Sequence, residues 1–213
     1  MRKFSLLDHI IVEIDTALKT LRPATPRQGT RDNPATAIAD CHLDKAQTKH
    51  VAGLMRVNHA GEVCAQALYQ GQAMTAQLAQ IREQMEEAAH EEIDHLSWCE
   101  VRLTELNSKP SILNPLWYTG SLMIGAVAGL AGDRWSLGFV AETEKQVTAH
   151  LATHLRHLPE KDAKSRAILT KMQEDEIEHA QLALRAGGKE LPFVIRQAMR
   201  FASRLMTKTS YHI

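Results

Sequence analysis

Apolar residues recur every three or four positions along most of this chain, which is the spacing that places them on one face of an α-helix. The pattern predicts six helices, which cover about residues 5–21, 44–79, 81–107, 134–158, 161–186 and 193–207. Segment 22–40 holds three prolines and a glycine and is predicted to be a loop or tether. The four long central helices predict an all-α protein built on a four-helix bundle, with a further helix at each end.

Four glutamates interrupt this pattern, because each occupies a position that the helical spacing reserves for an apolar residue. Two of them begin Glu-x-x-His sequences, Glu92–His95 and Glu176–His179. The other two, Glu62 and Glu144, precede these sequences by 30 and 32 residues, so the same arrangement occurs twice. Ionised carboxylates are too costly to bury without a compensating cation. The repeated spacing therefore predicts a metal site.

The positions of the turns place these glutamates at similar heights in the bundle. Glu62 lies about 17 residues before the turn near residue 79 and Glu92 about 13 residues after it, and at roughly 1.5 Å per residue these lengths nearly match on antiparallel helices. Four carboxylates and two imidazoles in a bundle core can bind two iron or manganese ions. The predicted ligands are Glu62, Glu92, His95, Glu144, Glu176 and His179.

Residues beside the predicted ligands have subordinate roles in this scheme. Glu91 and Asp175 each precede a ligand glutamate and are expected to accept hydrogen bonds from the imidazoles. Glu142 lies off the inward face, which selects Glu144 in its place. A relay or supporting role is open for His59 and His150. Packing is the favoured role for Tyr69 and Tyr118. A surface or cap position is expected for the other histidines: His90, His154, His157 and His212.

Charge and cysteine usage exclude several classes. Lysine plus arginine and aspartate plus glutamate both number 25, so no net positive charge indicates nucleic acid as a partner. The three cysteines show no Cys-x-x-Cys spacing and are expected to be reduced thiols. No Gly-x-Gly-x-x-Gly sequence predicts a tightly bound dinucleotide as reductant.

Two segments are predicted to meet a membrane surface. Segment 110–132 has 23 uncharged residues, long enough to span a bilayer, but its prolines and glycines favour an interfacial helix or hairpin with Trp117 and Tyr118 near the headgroups. Segment 193–207 separates apolar residues from arginines, as interfacial helices do. The alternative is that both segments pack on the bundle or on a second subunit.

Five sequences in this chain resemble the demethoxyubiquinone hydroxylases of ubiquinone biosynthesis, bacterial type. They are Arg56–Glu62, Glu91–Leu96, Pro115–Trp117, Glu144–His150 and Asp175–Ala180, and the resemblance covers about residues 45–186. Eukaryotic members have a tyrosine where this chain has Leu151, so a relay role for that tyrosine does not carry over.

The resemblance implies a ferritin-like di-iron monooxygenase with two iron ions per chain, bound by the six ligands named above. It also implies that a polyprenylated demethoxyubiquinol is hydroxylated on its ring with O₂. The two membrane-facing segments predict peripheral attachment, which we expect on the cytoplasmic side of the inner membrane. Other ubiquinone-biosynthesis proteins or a second copy of this chain are expected partners. The domain division that follows is 1–40 for the N-terminal helix and tether, 41–188 for the bundle, and 189–213 for the tail.

Three other functions remain open from the residues. An iron-storage or ferroxidase protein would assemble into a cage without an organic substrate. A radical-generating subunit would need a tyrosine beside the metals, for which Tyr69 is the weakly placed candidate. A metal-free helical adaptor would leave four buried glutamates unexplained.

Overall fold

The computed structural model describes residues 5–22, 27 and 29–213. These residues form no strand and seven α-helices: α1 (Leu6–Leu21), α2 (Lys45–Thr75), α3 (Ala79–Glu105), α4 (Asn114–Leu130), α5 (Asp133–His157), α6 (Ala163–Arg185) and α7 (Phe193–Ser210). The predicted all-α, ferritin-like architecture is confirmed. Helix α4 lies in segment 110–132, for which the pattern left either a helix or a hairpin open.

The bundle consists of two helical hairpins, α2 with α3 and α5 with α6, which contact each other across the core. Its apolar core includes a cluster between α2, α3 and α4 and two clusters that each take residues from all four bundle helices. One cluster lies around Met55, Trp98 and Met172, and the other lies around Tyr69 and Leu137. On all four helices, the predicted ligands fall between the residues of these two clusters, so a polar layer is enclosed between two apolar ones.

A buried ion pair fixes the end of α3 against the start of α6. Arg102 Nη2 lies 2.9 Å from Asp162 Oδ1, and Arg102 Nε donates to Ser165 Oγ at 2.9 Å. Asp162 also caps α6 by accepting a hydrogen bond from the Ser165 backbone N–H. Since α3 and α6 carry both Glu-x-x-His sequences, this pair helps to set their relative height.

Helix α4 packs along α2 at very short range. A β-carbon at Gly71 would overlap the Leu122 carbonyl oxygen, and one at Gly125 would overlap that of Leu68, so only glycine permits this approach. The expected position of Tyr118 near the headgroups is wrong, because Tyr118 is buried and its hydroxyl donates to Gln70. Burial raises the pKa of Tyr118 to about 12.

The outer faces of α4 and α7 remain apolar and exposed. The exposed residues are Leu116, Met123, Val127 and Leu130 on α4 and Phe193, Val194, Phe201 and Leu205 on α7. Trp117 Nε1 donates to Ser210 Oγ at 3.1 Å, which joins the two helices. Within the described ranges, no helix has the length and apolarity needed to cross a membrane.

Candidate metal centre

The bundle brings the predicted ligands together in its enclosed polar layer. Atoms able to bind a metal on four buried residues lie within 4.8 Å of one another; these residues are Glu62, Glu92, His95 and Glu176. Glu144 adjoins them, since the Glu176 and Glu92 carboxylates are close enough to help raise its pKa. His179 Nδ1 lies 3.3 Å from Glu176 Oε2 and 3.4 Å from Glu92 Oε1. All six residues therefore surround one space.

Both imidazoles turn the same nitrogen towards the carboxylates. His95 Nδ1 lies 2.9 Å from Glu92 Oε2 and 3.3 Å from Glu176 Oε1. Its Nε2 lies 3.0 Å from Asp175 Oδ2, while His179 Nε2 lies 2.5 Å from Glu91 Oε2. The two acceptors expected from the sequence are thus in place, and each belongs to the opposite Glu-x-x-His helix. A carboxylate that accepts from Nε2–H leaves Nδ1 with a free lone pair for a metal.

The electrostatics show how strongly this cluster needs positive charge. Burial, followed by the nearby Glu92 carboxylate, raises the pKa of Glu62 well above its ordinary value, and burial and Glu176 do the same for Glu144. Burial lowers the pKa of His179, but the hydrogen bond with Glu176 and the nearby Glu92 carboxylate outweigh it and raise this pKa to about 12. Without metal, protons on these groups supply the charge that a cation would bring.

The donor set fits a pair of iron or manganese ions. Carboxylate oxygens with one imidazole per metal suit these ions better than thiolate-binding metals. In addition, Glu92 Oε1 is buried and accepts no hydrogen bond among the described residues, although His179 Nδ1 lies 3.4 Å from it. A buried carboxylate oxygen in that position fits a metal ligand, since buried polar atoms are otherwise nearly always paired.

Glu142 and the other histidines lie outside this cluster. Glu142 is buried, yet its carboxylate accepts a hydrogen bond from Gln146 Nε2 at 2.7 Å and does not join the converging group. The expectation that His154 lies at the surface is wrong: it is 6% exposed, and its Nδ1 lies 2.8 Å from Asn58 Oδ1. The His150 ring packs edge-on against His154 with centroids 4.0 Å apart.

His59 and His150 differ in their hydrogen bonding. His59 Nε2 lies 3.2 Å from Glu100 Oε1, and Asn114 Nδ2 lies 3.2 Å from His59 Nδ1, so both ring nitrogens are occupied. His150 Nε2 is buried and has no partner within the described part of the chain. Of the two histidines, His150 therefore keeps a nitrogen free for a further interaction.

Tyr69 is closer to the centre than sequence reasoning placed it. Its hydroxyl donates a hydrogen bond to Glu144 Oε1, and the side chain is 2% exposed. Burial, followed by the Glu144 charge, raises the Tyr69 pKa well above its ordinary value, so the group is a neutral donor. The available signal was its position two turns after Glu62 on the same inward face.

A second contribution comes from the segment predicted to be a loop or tether. Arg31 Nε lies 2.6 Å from Asp94 Oδ2, and its Nη1 lies 2.8 Å from Asp175 Oδ2. The Thr30 backbone N–H donates to Asp94 Oδ1 at 2.6 Å. No pattern in the sequence connects Arg31 with these aspartates, because 63 and 144 residues separate them.

Fold and site together define a ferritin-like helical bundle whose core presents a carboxylate and histidine cluster able to bind metal. Residues 49–210 match the family described as ubiquinone biosynthesis protein COQ7, and the chain belongs to that family. Relatives named 3-demethoxyubiquinol 3-hydroxylase support this membership. One from Legionella pneumophila (strain Paris) is 62% identical over 213 residues, covering both chains fully. Another from Pseudomonas putida (strain W619) is 54% identical over 212 residues, covering 100% of this chain and 98% of the relative.

Proposed function

We propose that this chain is a di-iron monooxygenase that hydroxylates the ring of a polyprenylated demethoxyubiquinol in ubiquinone biosynthesis. The observation that carries the proposal is the buried cluster of three glutamates and one histidine, with Glu144 and His179 beside it, in a member of the COQ7 family, whose relatives are named 3-demethoxyubiquinol 3-hydroxylase. When bound, two iron ions would supply the activation of O₂. The ligands proposed for them are Glu62, Glu92, His95, Glu144, Glu176 and His179.

The protein's own part is to hold these donors and to keep the site dry. Asp175 and Glu91 fix the tautomer of each histidine by accepting from Nε2–H. Tyr69 orients Glu144 by donating to it. The apolar clusters on either side exclude water, which strengthens electrostatic interactions in the layer between them. We propose His150, whose Nε2 lacks a described partner, as a relay for protons or electrons.

An apolar cleft supports a prenylated substrate. It has a volume of about 700 Å³ and is lined by α4, α5 and the residues around the start of α7, including Val127, Trp135, Phe139 and Ile195. Burial of an isoprenoid tail on such a surface is favourable at about 25 cal/mol per Å² of apolar area. A ferroxidase that acts on iron alone has no use for such a cleft.

Peripheral attachment to the inner membrane, on its cytoplasmic side, belongs to the same proposal. The exposed apolar faces of α4 and α7 support it, together with the exposed Arg200 and Arg204 of α7. Replacing both arginines with glutamate should weaken binding to anionic vesicles at low salt, because each basic residue near the surface contributes about 1 kcal/mol. Vesicle sedimentation checks this, and the control replaces the exposed Lys161 and Arg185 outside α7. Equal losses in both variants would contradict a specific role for α7.

Genetic complementation tests the reaction itself. A strain without this gene should accumulate the demethoxy quinone, and wild-type protein should restore ubiquinone. Glu62→Ala and His179→Ala should fail to restore it although the protein is present, because each removes a proposed ligand. Glu142→Ala is the matched control, since this buried glutamate lies outside the cluster. Normal ubiquinone in the deletion strain, without a second hydroxylase, would refute the assigned substrate.

A further inference from the structure

The two histidines of the centre are supported unequally, although the sequence repeats the same motif. On one side, His95 is fully buried and its acceptor Asp175 has a side chain only 9% exposed. On the other side, the acceptor of His179 is Glu91, whose side chain is 54% exposed. A water-exposed acceptor holds an imidazole less firmly than a buried one, because water competes for the same hydrogen bond.

Only the His95 side has a cation bridging its acceptor to a second carboxylate among the described residues. Arg31 Nη1 donates to the same Asp175 oxygen that accepts from His95, at 2.8 Å. Its Nε donates to Asp94 Oδ2 at 2.6 Å. The guanidinium also lies over the Trp98 ring, with Cζ 5.1 Å from the ring centroid. A planar group held on both carboxylates and one aromatic face has a fixed orientation.

The backbone around Arg31 makes this bridge specific. The Thr30 and Arg31 backbone N–H groups both donate to Asp94 Oδ1, at 2.6 and 3.3 Å. At Gly29, a β-carbon would meet Asp94 Oδ1 at 2.5 Å, so a side chain there would displace the Asp94 carboxylate from its present position. The segment Gly29–Arg31 therefore connects α3, through Asp94, to α6, through Asp175.

We propose that Arg31 is a positioning residue that fixes Asp175 against His95 and thereby makes the His95 half the tighter of two unequal metal positions. The inference rests on the proposed metal centre and adds that one of its two metal positions has the higher affinity. Lys171 Nζ also contacts Asp175, at Oδ1 and 2.7 Å, but its side chain is 41% exposed and it contacts neither Asp94 nor His95 in the described structure. Arg31 is thus the group that links Asp175 on α6 to Asp94 on α3.

Anaerobic titration of the metal-free full-length protein with cobalt(II) tests the inference. Visible absorption reports the ligand field of each bound ion, and calorimetry reports each affinity. Wild-type protein should bind two ions in two separate steps. Arg31→Met should weaken the tighter step by about ten-fold or more, since loss of a group that orients a metal-bound histidine costs about 10–100-fold. It should also change the spectrum of that ion and leave the weaker step unchanged.

Three further variants separate positioning from general stability. Arg31→Lys should recover part of the loss, because an ammonium keeps the charge but cannot hold both aspartates with one planar group. Lys171→Met should change either step by about two-fold or less, as expected for an i,i+4 pair whose lysine side chain is 41% exposed. Glu91→Gln should weaken the second step alone. Far-UV circular dichroism of each metal-free variant checks that the fold is retained, and Arg31→Lys carries the comparison if Arg31→Met does not fold.

The outcomes distinguish this inference from the proposed function. In one outcome, wild-type protein binds cobalt in two steps and the Arg31→Met and Arg31→Lys variants give the same titration curve. That result would overturn the role of Arg31 but would not contradict the metal centre. Equal weakening of both steps in the Arg31 variants would overturn the inequality of the two positions. Wild-type protein that binds no cobalt would overturn both the inference and the proposed centre.

Discussion

Replacing Asp162 with alanine should destabilise the bundle strongly, because it leaves a buried arginine without its buried partner. The Arg102 and Asp162 side chains are 2% and 0% exposed. Removing one partner of a buried ion pair costs about 3–5 kcal/mol. Loss of the α6 cap adds about 1 kcal/mol. Arg102 keeps Glu105 at 2.7 Å, which offsets part of the cost, so we expect a loss of about 3–5 kcal/mol.

The same arginine provides a matched control. Asp40 Oδ1 lies 3.6 Å from Arg102 Nη1, but its side chain is 62% exposed. Asp40→Ala should therefore cost less than about 1 kcal/mol, as exposed ion pairs do. Asp162→Asn keeps an oxygen that can accept from Arg102 and the Ser165 backbone and should fall between these two values.

Urea unfolding of the metal-free protein, followed by circular dichroism at neutral pH, measures all three variants. A cost of about 3–5 kcal/mol is a large share of the roughly 5–15 kcal/mol by which domains are stable, so the midpoint should move clearly. If Asp162→Ala and Asp40→Ala had the same midpoint within error, burial would not decide the strength of this pair. The reasoning about the α3–α6 connection would then be refuted.

Three other changes test separate parts of the structure. Glu144→Ala should lose most bound iron by elemental analysis while Glu142→Ala retains it, and equal loss in both would mean that the ligand set on α5 is wrong. Gly125→Leu should lower the thermal midpoint by forcing α4 away from α2, and an unchanged midpoint would contradict that close approach. Burial and then the charge of His150 lower the His154 pKa to about 3, below its unfolded value of about 6.5, so stability is lost as pH falls between these values. His154→Gln should reduce this acid loss by up to a few kcal/mol at about 1.4 kcal/mol per pKa unit, and urea midpoints that fall equally in both proteins would refute it.

The sequence could predict the bundle and the composition of its polar layer because both follow from local periodicity. An i, i+3 spacing places Glu92 and His95 on one helix face whatever lies around them. The turn near residue 79, and the break at Pro159 in the connection between α5 and α6, then determine the heights at which the helices meet. Even Glu91 and Asp175 could be assigned, since each immediately precedes a ligand glutamate.

What the sequence could not predict depends on contacts between distant segments. Arg31 lies in a proline-rich segment whose composition indicates only a loop, and nothing local shows that it reaches two helices. His154 lies near the end of α5, a position typical of exposed residues, and is buried because α2 presents Asn58 to it. Tyr118 sits in an apolar segment that resembles an interface, and its burial follows from the glycine-mediated packing of α4 on α2.

Stability and metal loading should be coupled in this protein through the buried carboxylates. Burial raises the pKa of Glu62 and of Glu144, so the metal-free core retains protons to limit its negative charge. A bound cation would displace those protons and satisfy the Glu92 oxygen that lacks a described partner. Ligands that bind only the folded state stabilise it by about 2.7 kcal/mol at 100 times their dissociation constant. The residues that would bind the metal are therefore also the residues whose buried negative charge needs a compensating cation or proton. Loss of metal should for this reason lower the stability of the fold.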